Sequence, residues 1–284
     1  MRIIRAEHLG MCFGVRDAID LALDHAQHRT LTILGELVHN ESVLTSLRHR
    51  GIRIEDDPGR VASGIVMVTA HGASEHRMSQ VRHRGLPLLE ATCPLVHLAH
   101  RAVARLVREG YHPVIIGKRD HVEVRGITED LVAFDVILAE TDVERLQERP
   151  RFGVAAQTTQ PIDRVRHLVG RLRQRFPRSE VRFIDTVCQP TKQRQHAAVE
   201  LAQQCDVVIV IGGAGSNNTR ELAETCRRHC PQVHQIQGSA ELRTEWLTEA
   251  RTVGITAGTS TPDAVIEAVE QRLHGLVPAE VSHA

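Results

Sequence analysis

The chain has 284 residues, 35 basic and 35 acidic side chains, and a formal net charge of zero. A length of this size suggests about two domains, and the charge balance argues against an electrostatic nucleic-acid binder, which carries a basic surplus. Hydrophobic residues make up 42% but aromatics only 2%, so the core must be built from Val, Ile, Leu and Ala, without a base-stacking platform. No apolar stretch approaches the ~20 residues of a membrane span. Met1-Arg2-Ile3-Ile4-Arg5 opens no apolar signal segment, so no membrane partner and a cytoplasmic location are expected. Six Cys and 18 His are the unusual counts, and in such a compartment thiols point to metal or redox chemistry rather than disulfides.

In chain order, Ile3 and Ile4 read as a short strand, followed by a helical stripe of Val15, Ile19, Ala22 and Ala26. Strands are expected near 31–34, 52–54, 64–70 and 87–89. A second set follows near 113–116, 131–138, 152–156 and 181–184, and a third near 207–211, 233–236 and 252–257. Ile3–Ile4 supplies the fourth member of the third set. Between the first two sets, Leu98, Ala99, Ala102, Val103, Leu106 and Val107 recur at i, i+3 and i+4 as one apolar stripe, with Gly110 as its stop. Alternating strand and helix predicts an α/β fold of mostly parallel sheets. Three sets of four predict three related lobes, at 13–93, 94–188 and 189–284 plus 1–12, each a small four-stranded sheet flanked by helices.

What ends the strands carries the chemistry. Cys12, Cys93 and Cys188 each follow a strand and precede a helix, at separations of 81 and 95 residues. A parallel strand's carboxyl end is where open α/β sheets bind ligands, and a helix N-terminus favours the thiolate that ligates metal. A lone Cys is usually a small buried hydrophobe, but three in one context point to soft-metal ligation by an iron–sulfur cluster or zinc. Zinc fingers use close Cys pairs, and the sequence has no C-x-x-C. Three ligands, one per lobe, would instead gather a cluster where the lobes meet, leaving one iron open for a substrate. Cys205 reads as core, and Cys226 and Cys230 as helix packing four residues apart.

Polar residues end other strands in the same rhythm. The first strands of the sets end in Gly35-Glu36-Leu37-Val38-His39-Asn40, Gly117-Lys118-Arg119-Asp120-His121-Val122-Glu123 and Gly212-Gly213-Ala214-Gly215-Ser216-Asn217-Asn218. The third strands end in Ala70-His71-Gly72, Ala156-Gln157-Thr158-Thr159 and Ala257-Gly258-Thr259-Ser260. Gly-rich turns opening onto helices, with His, Ser and Asn donors and no Walker lysine, suit a phosphate or diphosphate. His39, His71 and His121 stand apart at strand exits. Most other His, such as His49, His83 and His100, sit among Arg and read as solvated helix surface. Glu123, two residues after His121, is the natural general acid.

These motifs together resemble the 4-hydroxy-3-methylbut-2-enyl diphosphate reductase family. The likeness runs from Gly10-Met11-Cys12-Phe13-Gly14-Val15 through Val38-His39-Asn40, Ala91-Thr92-Cys93-Pro94, His121-Val122-Glu123, Gln157-Thr158-Thr159 and Asp185-Thr186-Val187-Cys188 to Ser216-Asn217-Asn218 and Ala257-Gly258-Thr259-Ser260. It implies three pseudo-threefold-related α/β lobes around a central [4Fe–4S] cluster on Cys12, Cys93 and Cys188, with the fourth iron open. It further implies a diphosphate held by His39, His71, His121, Ser216, Asn217, Asn218 and Ser260, and a proton relay through Glu123 with Thr158 and His121 beside it. The implied reaction is the two-electron, two-proton removal of the C4 hydroxyl of an allylic diphosphate, fed by a ferredoxin or flavodoxin. Three places depart from the family pattern. Val122 stands where Pro is usual, Gly215 and Asn217 alter the phosphate loop, and Gln189-Pro190-Thr191 follows the third Cys. A relative acting on another allylic substrate, or an iron–sulfur sensor with no use for Glu123, would share the thiols.

Overall fold

The computed structural model describes residues 1–276. The chain opens with strand β1 (Arg2–Arg5) and helix α1 (Phe13–Ala26). It continues through β2 (Leu31–Leu34), α2 (Glu41–His49), β3 (Arg53–Glu55), β4 (Ile65–Val68), α3 (Glu75–His83) and β5 (Leu88–Glu90). The next stretch holds α4 (Pro94–Arg108), β6 (His112–Ile116), α5 (Val122–Thr128), β7 (Asp135–Ile137), α6 (Glu140–Arg145), β8 (Arg151–Ala156), α7 (Ile162–Arg175) and β9 (Glu180–Phe183). The last holds α8 (Gln189–Ala202), β10 (Val207–Ile211), α9 (Asn217–Arg227), β11 (Gln232–Ile236), β12 (Thr252–Ala257) and α10 (Asp263–Leu276).

The strands form three four-stranded sheets, ordered β3-β2-β4-β5, β7-β6-β8-β9 and β11-β10-β12-β1, and every pairing is parallel. The three orders are one pattern. In each sheet the first strand of the set lies centrally, the third beside it, and the fourth at the edge that leads to a Cys. Strand β1 fills that fourth place in the last sheet, with Ile3 opposite Val253, as the repeat predicts.

Helical cover on both faces explains the unbroken Val/Ile runs. In β10, Val208 and Val210 pack with Ala198, Leu201 and Leu222 on one face. Val207, Ile209 and Ile211 pack with Ile266, Val269 and Leu273 on the other. In the second sheet, Val114, Ile116 and Val154 pack against Leu168 and Leu172 while Ile115 and Ala155 face Ala99 and Val103.

The chain divides into two compact units. One contains Met1–Cys12, His39–Glu41 and the chain from Pro190, and so holds the β11-β10-β12-β1 sheet. The other contains Phe13–Val38 and Ser42–Gln189, with the other two sheets. Residues 277–284 of the third expected lobe lie outside the described residues. Among the described residues no helix is long and apolar enough to cross a membrane.

Four local expectations need correction. The strand expected over 131–138 shrinks to Asp135–Ile137, because α5 runs to Thr128 and Val132 is fully exposed, before any strand neighbour is reached. The apolar stripe expected on α4 is rotated: Val96, Ala99, Val103 and Leu106 are buried, while Leu98 is 50% and Val107 40% exposed. Cys230 lies beyond the end of α9 rather than on it. His100 is half-buried rather than on an open face, near Gly72 and Gly126, and burial, helped by His97, holds its ring below the ordinary value against a weaker opposing pull from Asp130.

Candidate active site

In the two-sheet unit, two cysteines end edge strands in the same way. The Cys93 N–H donates to the Ala70 carbonyl at 3.1 Å, and the Cys188 N–H donates to the Thr158 carbonyl at 3.0 Å. Each thiol is thus tied by backbone to the exit of the neighbouring strand, β4 or β8. The third repeats the device in the other unit, where the Cys12 N–H donates to the Thr259 carbonyl beyond β12 at 3.1 Å. Pro94 takes the first turn of α4, where its missing N–H costs nothing. Gly14 lies so close to Cys93 that a Cβ there would stand 2.5 Å from Sγ, so the absent side chain leaves the thiol its room.

The acid is linked to Cys188 through Thr158. Glu123 is 1% exposed in the first turn of α5. Its Oε1 accepts the Thr158 N–H at 2.7 Å and its Oε2 accepts the Thr158 hydroxyl at 2.9 Å. Burial pushes its carboxyl up to about 7, against the opposing pull of those two Thr158 bonds. His121 caps the same helix, its Nδ1 accepting the Glu123 N–H at 3.2 Å. That bond makes Nδ1 the acceptor, so the proton of the neutral ring is on Nε2. The His71 ring meets His121 edge-on, with centroids 5.4 Å apart and planes at 82°.

In the other unit, Ser216 caps α9 by accepting the Thr219 N–H at 3.2 Å, and Asn218 Oδ1 accepts the Thr259 N–H at 2.9 Å. Asn40 donates its side-chain amide to the Ser260 carbonyl at 3.0 Å. A Cβ on Gly213 would collide with the His39 carbonyl, so this glycine lets the His39–Asn40 segment lie on the Gly-rich loop. Asn217 Nδ2 and Ser260 Oγ are buried with no hydrogen-bond partner among the described residues. Buried donors are normally paired, and two such groups beside a helix N-terminus suit an anionic ligand.

The expected site residues therefore fall into two groups. Cys93, Cys188, His71, His121, Glu123 and Thr158 lie in one unit, and Cys12, His39, Ser216, Asn217, Asn218 and Ser260 in the other. All six cysteines are free. Cys12, Cys93 and Cys188 are partly accessible, whereas Cys205, Cys226 and Cys230 are buried. Burial pushes the Cys205 thiol up to about 11 and that of Cys226 up to about 12, which marks them as core. Among the described residues no group of three or more His, Cys, Asp or Glu is placed to hold a single metal ion.

Two positioning residues escape sequence reasoning. Thr186 Oγ bridges the N–H and carbonyl of Ala156 at 2.8 and 2.6 Å, clamping the loop before Cys188 onto the exit of β8. Arg194, buried in α8, donates to the Gly10 carbonyl at 2.8 and 3.0 Å, bracing the loop before Cys12. The only available signal was a lone Arg among Thr191, Ala197, Ala198 and Leu201 on the helix's inner face.

Cysteines at the ends of parallel strands and one buried acid held near neutrality give this parallel α/β protein candidate groups for proton-coupled chemistry. A family model described as LytB protein matches residues 3–274. The chain belongs to this family. It is 37% identical over 278 residues to a 4-hydroxy-3-methylbut-2-enyl diphosphate reductase of Pelobacter propionicus, covering 96% of this chain and 98% of that one. It is 36% identical to the reductase of the same name from Aquifex aeolicus, covering 98% of both chains. Among solved structures, the E-1-hydroxy-2-methyl-but-2-enyl-4-diphosphate reductase of Plasmodium falciparum superposes with a TM-score of 0.90. It is 26% identical, with 99% of this chain and 89% of that chain covered. A second, described as the terminal enzyme of the non-mevalonate pathway, gives a TM-score of 0.70 at 34% identity, with 97% and 100% covered.

Proposed function

We propose that this chain removes the C4 hydroxyl of (E)-4-hydroxy-3-methylbut-2-enyl diphosphate reductively, consuming two electrons and two protons and yielding water with isopentenyl and dimethylallyl diphosphate. The observation that carries this reading is the double use of Thr158. Its carbonyl holds the Cys188 loop while its N–H and hydroxyl hold the Glu123 carboxyl, coupling one thiol to one acid through a single residue.

Cys12, Cys93 and Cys188 would hold a [4Fe–4S] cluster, which when bound supplies electrons and one Lewis-acidic iron position not taken by protein. The chain's own residues do the rest. Glu123, neutral below about pH 7, is the proton donor that lets the hydroxyl depart as water. Thr158 fixes the direction of the carboxyl, and His121 holds the first turn of α5 that carries it. His39, His71, His121, Ser216, Asn217, Asn218 and Ser260 bind the diphosphate. Asn217 and Ser260 each offer a buried donor that has no hydrogen-bond partner among the described residues. Binding energy collected there orients the allylic end without touching the reacting carbon.

The lobe limits at 13–93, 94–188 and 189–284 with 1–12 belong to this proposal, as do a ferredoxin or flavodoxin as electron source and a cytoplasmic location. Anaerobic purification with iron and sulfide counting, then dithionite-driven turnover, tests it. A brown protein forming both five-carbon diphosphates is expected. A colourless protein that takes up no iron on reconstitution would overturn the reading, and a brown protein inert to this substrate would favour a related allylic diphosphate.

A further inference from the structure

Helix α4 begins at Cys93, its N-cap, and presents one face that the fold leaves uncovered. Pro94, Leu98, Arg101, Arg105 and Arg108 recur at i, i+4, i+7, i+11 and i+14, which places them on one solvent-facing stripe about 22 Å long. The helix contains no acid at all. Arg101 and Arg108 make no side-chain hydrogen bond or ion pair among the described residues, while Arg105 pairs with Glu109 just past the helix. At the thiol end the stripe turns apolar. Leu98 is 50% exposed, and Phe13, next to the Gly14 that abuts Cys93 Sγ, is 46% exposed.

Large apolar side chains exposed at the Cys93 end of the helix, continuous with a row of three arginines of which Arg105 is paired, are the composition of a docking face rather than of solvated surface. A second copy of this chain does not fit, because a two-fold contact would set the Arg row against itself. Resting on the function proposed above, we infer that the exposed face of α4, with Phe13, is where an acidic one-electron carrier protein docks. Its acidic rim would meet Arg101, Arg105 and Arg108, and its redox group would come up against Leu98 and Phe13, beside Cys93. Per substrate, two carriers are each oxidised by one electron. The C–O bond breaks, the hydroxyl leaves as water with one proton, and the second proton forms the new C–H bond.

The test uses the cluster-loaded enzyme and an acidic [2Fe–2S] ferredoxin as probe, comparing wild type with Arg101→Glu and Leu98→Gln. Binding is measured by calorimetry at low and high salt, and turnover is driven either by the reduced ferredoxin or by dithionite, which needs no docking face. The expected result is binding about tenfold weaker in Arg101→Glu at low salt, with the difference shrinking at high salt. The KM for ferredoxin rises in both variants, and dithionite-driven rates stay within about twofold of wild type. Equal ferredoxin affinity in wild type and both variants, with dithionite turnover intact, would overturn this docking face alone. Absence of dithionite turnover in wild type would instead count against the proposed function, while the binding arm still reads the docking face.

Discussion

Replacing Glu123 by Gln should make the protein more stable, and increasingly so as pH rises. The carboxyl is 1% exposed and its value lies at about 7 instead of the ordinary 4.5. Between those two pH values the folded chain keeps a proton that the unfolded chain has lost. Wild-type stability therefore falls as pH climbs through that window, and the loss is complete above about 7. The distance from 4.5 to about 7 corresponds to about 3 kcal/mol. Gln imitates the protonated acid, its oxygen still accepting the Thr158 N–H and its amide facing the Thr158 hydroxyl. The variant should match wild type near pH 4 and exceed it by about 3 kcal/mol at pH 8. In a chain of this size that is roughly 5–10 °C in melting temperature. Differential scanning calorimetry of both proteins at the two pH values reads this directly. A melting difference that is the same at both, or a wild type that outlasts Glu123→Gln at pH 8, would refute the claim that burial holds the acid neutral.

Other expectations follow from the same geometry. Turnover should fall as pH rises above about 7, where Glu123 loses its proton, and a pH–rate profile checks the position of that limb. Thr158→Val removes the hydroxyl donor to Oε2, so the alkaline limb should move to higher pH and stability should drop by about 1–3 kcal/mol. Brief treatment of the native apoprotein with iodoacetamide should modify Cys12, Cys93 and Cys188, sparing the buried Cys205, Cys226 and Cys230 until the chain is denatured, which peptide mass spectrometry resolves. Gly14→Ala puts a methyl where only 2.5 Å separates it from Cys93 Sγ. It should lower iron bound per chain at least severalfold while leaving the apoprotein's helix content unchanged, as metal analysis and circular dichroism would show.

The sheets were legible because Val and Ile runs in a parallel sheet covered on both faces carry an unbroken signal, as Val207–Ile211 does. The strand–Cys–helix repeat was legible as well, and it assigns β1 to the last sheet, where β1 pairs with β12. Rotation of α4 was not. Leu98, Ala99, Ala102 and Val103 satisfy an apolar stripe on paper, but the buried face is set by where β6 and β8 lie, and that leaves Leu98 in water. The ties that place the thiols were also invisible. Those of Cys12, Cys93 and Cys188 are backbone N–H to carbonyl bonds, which leave no mark on side-chain choice. Thr158 shows the same limit, since its hydroxyl role toward Glu123 could be suspected from the motif, whereas the use of its carbonyl by Cys188 could not.

Metal binding by the three cysteines and proton delivery by Glu123 should be separable. The measurement is single-turnover conversion of (E)-4-hydroxy-3-methylbut-2-enyl diphosphate under dithionite by wild type and Glu123→Gln, with iron and sulfide counted in the same samples. Equal iron and sulfide are expected in both proteins, with isopentenyl and dimethylallyl diphosphate formed by wild type and turnover slowed about 100-fold or more in the variant. Wild-type rates in Glu123→Gln with full iron content would contradict proton delivery by Glu123.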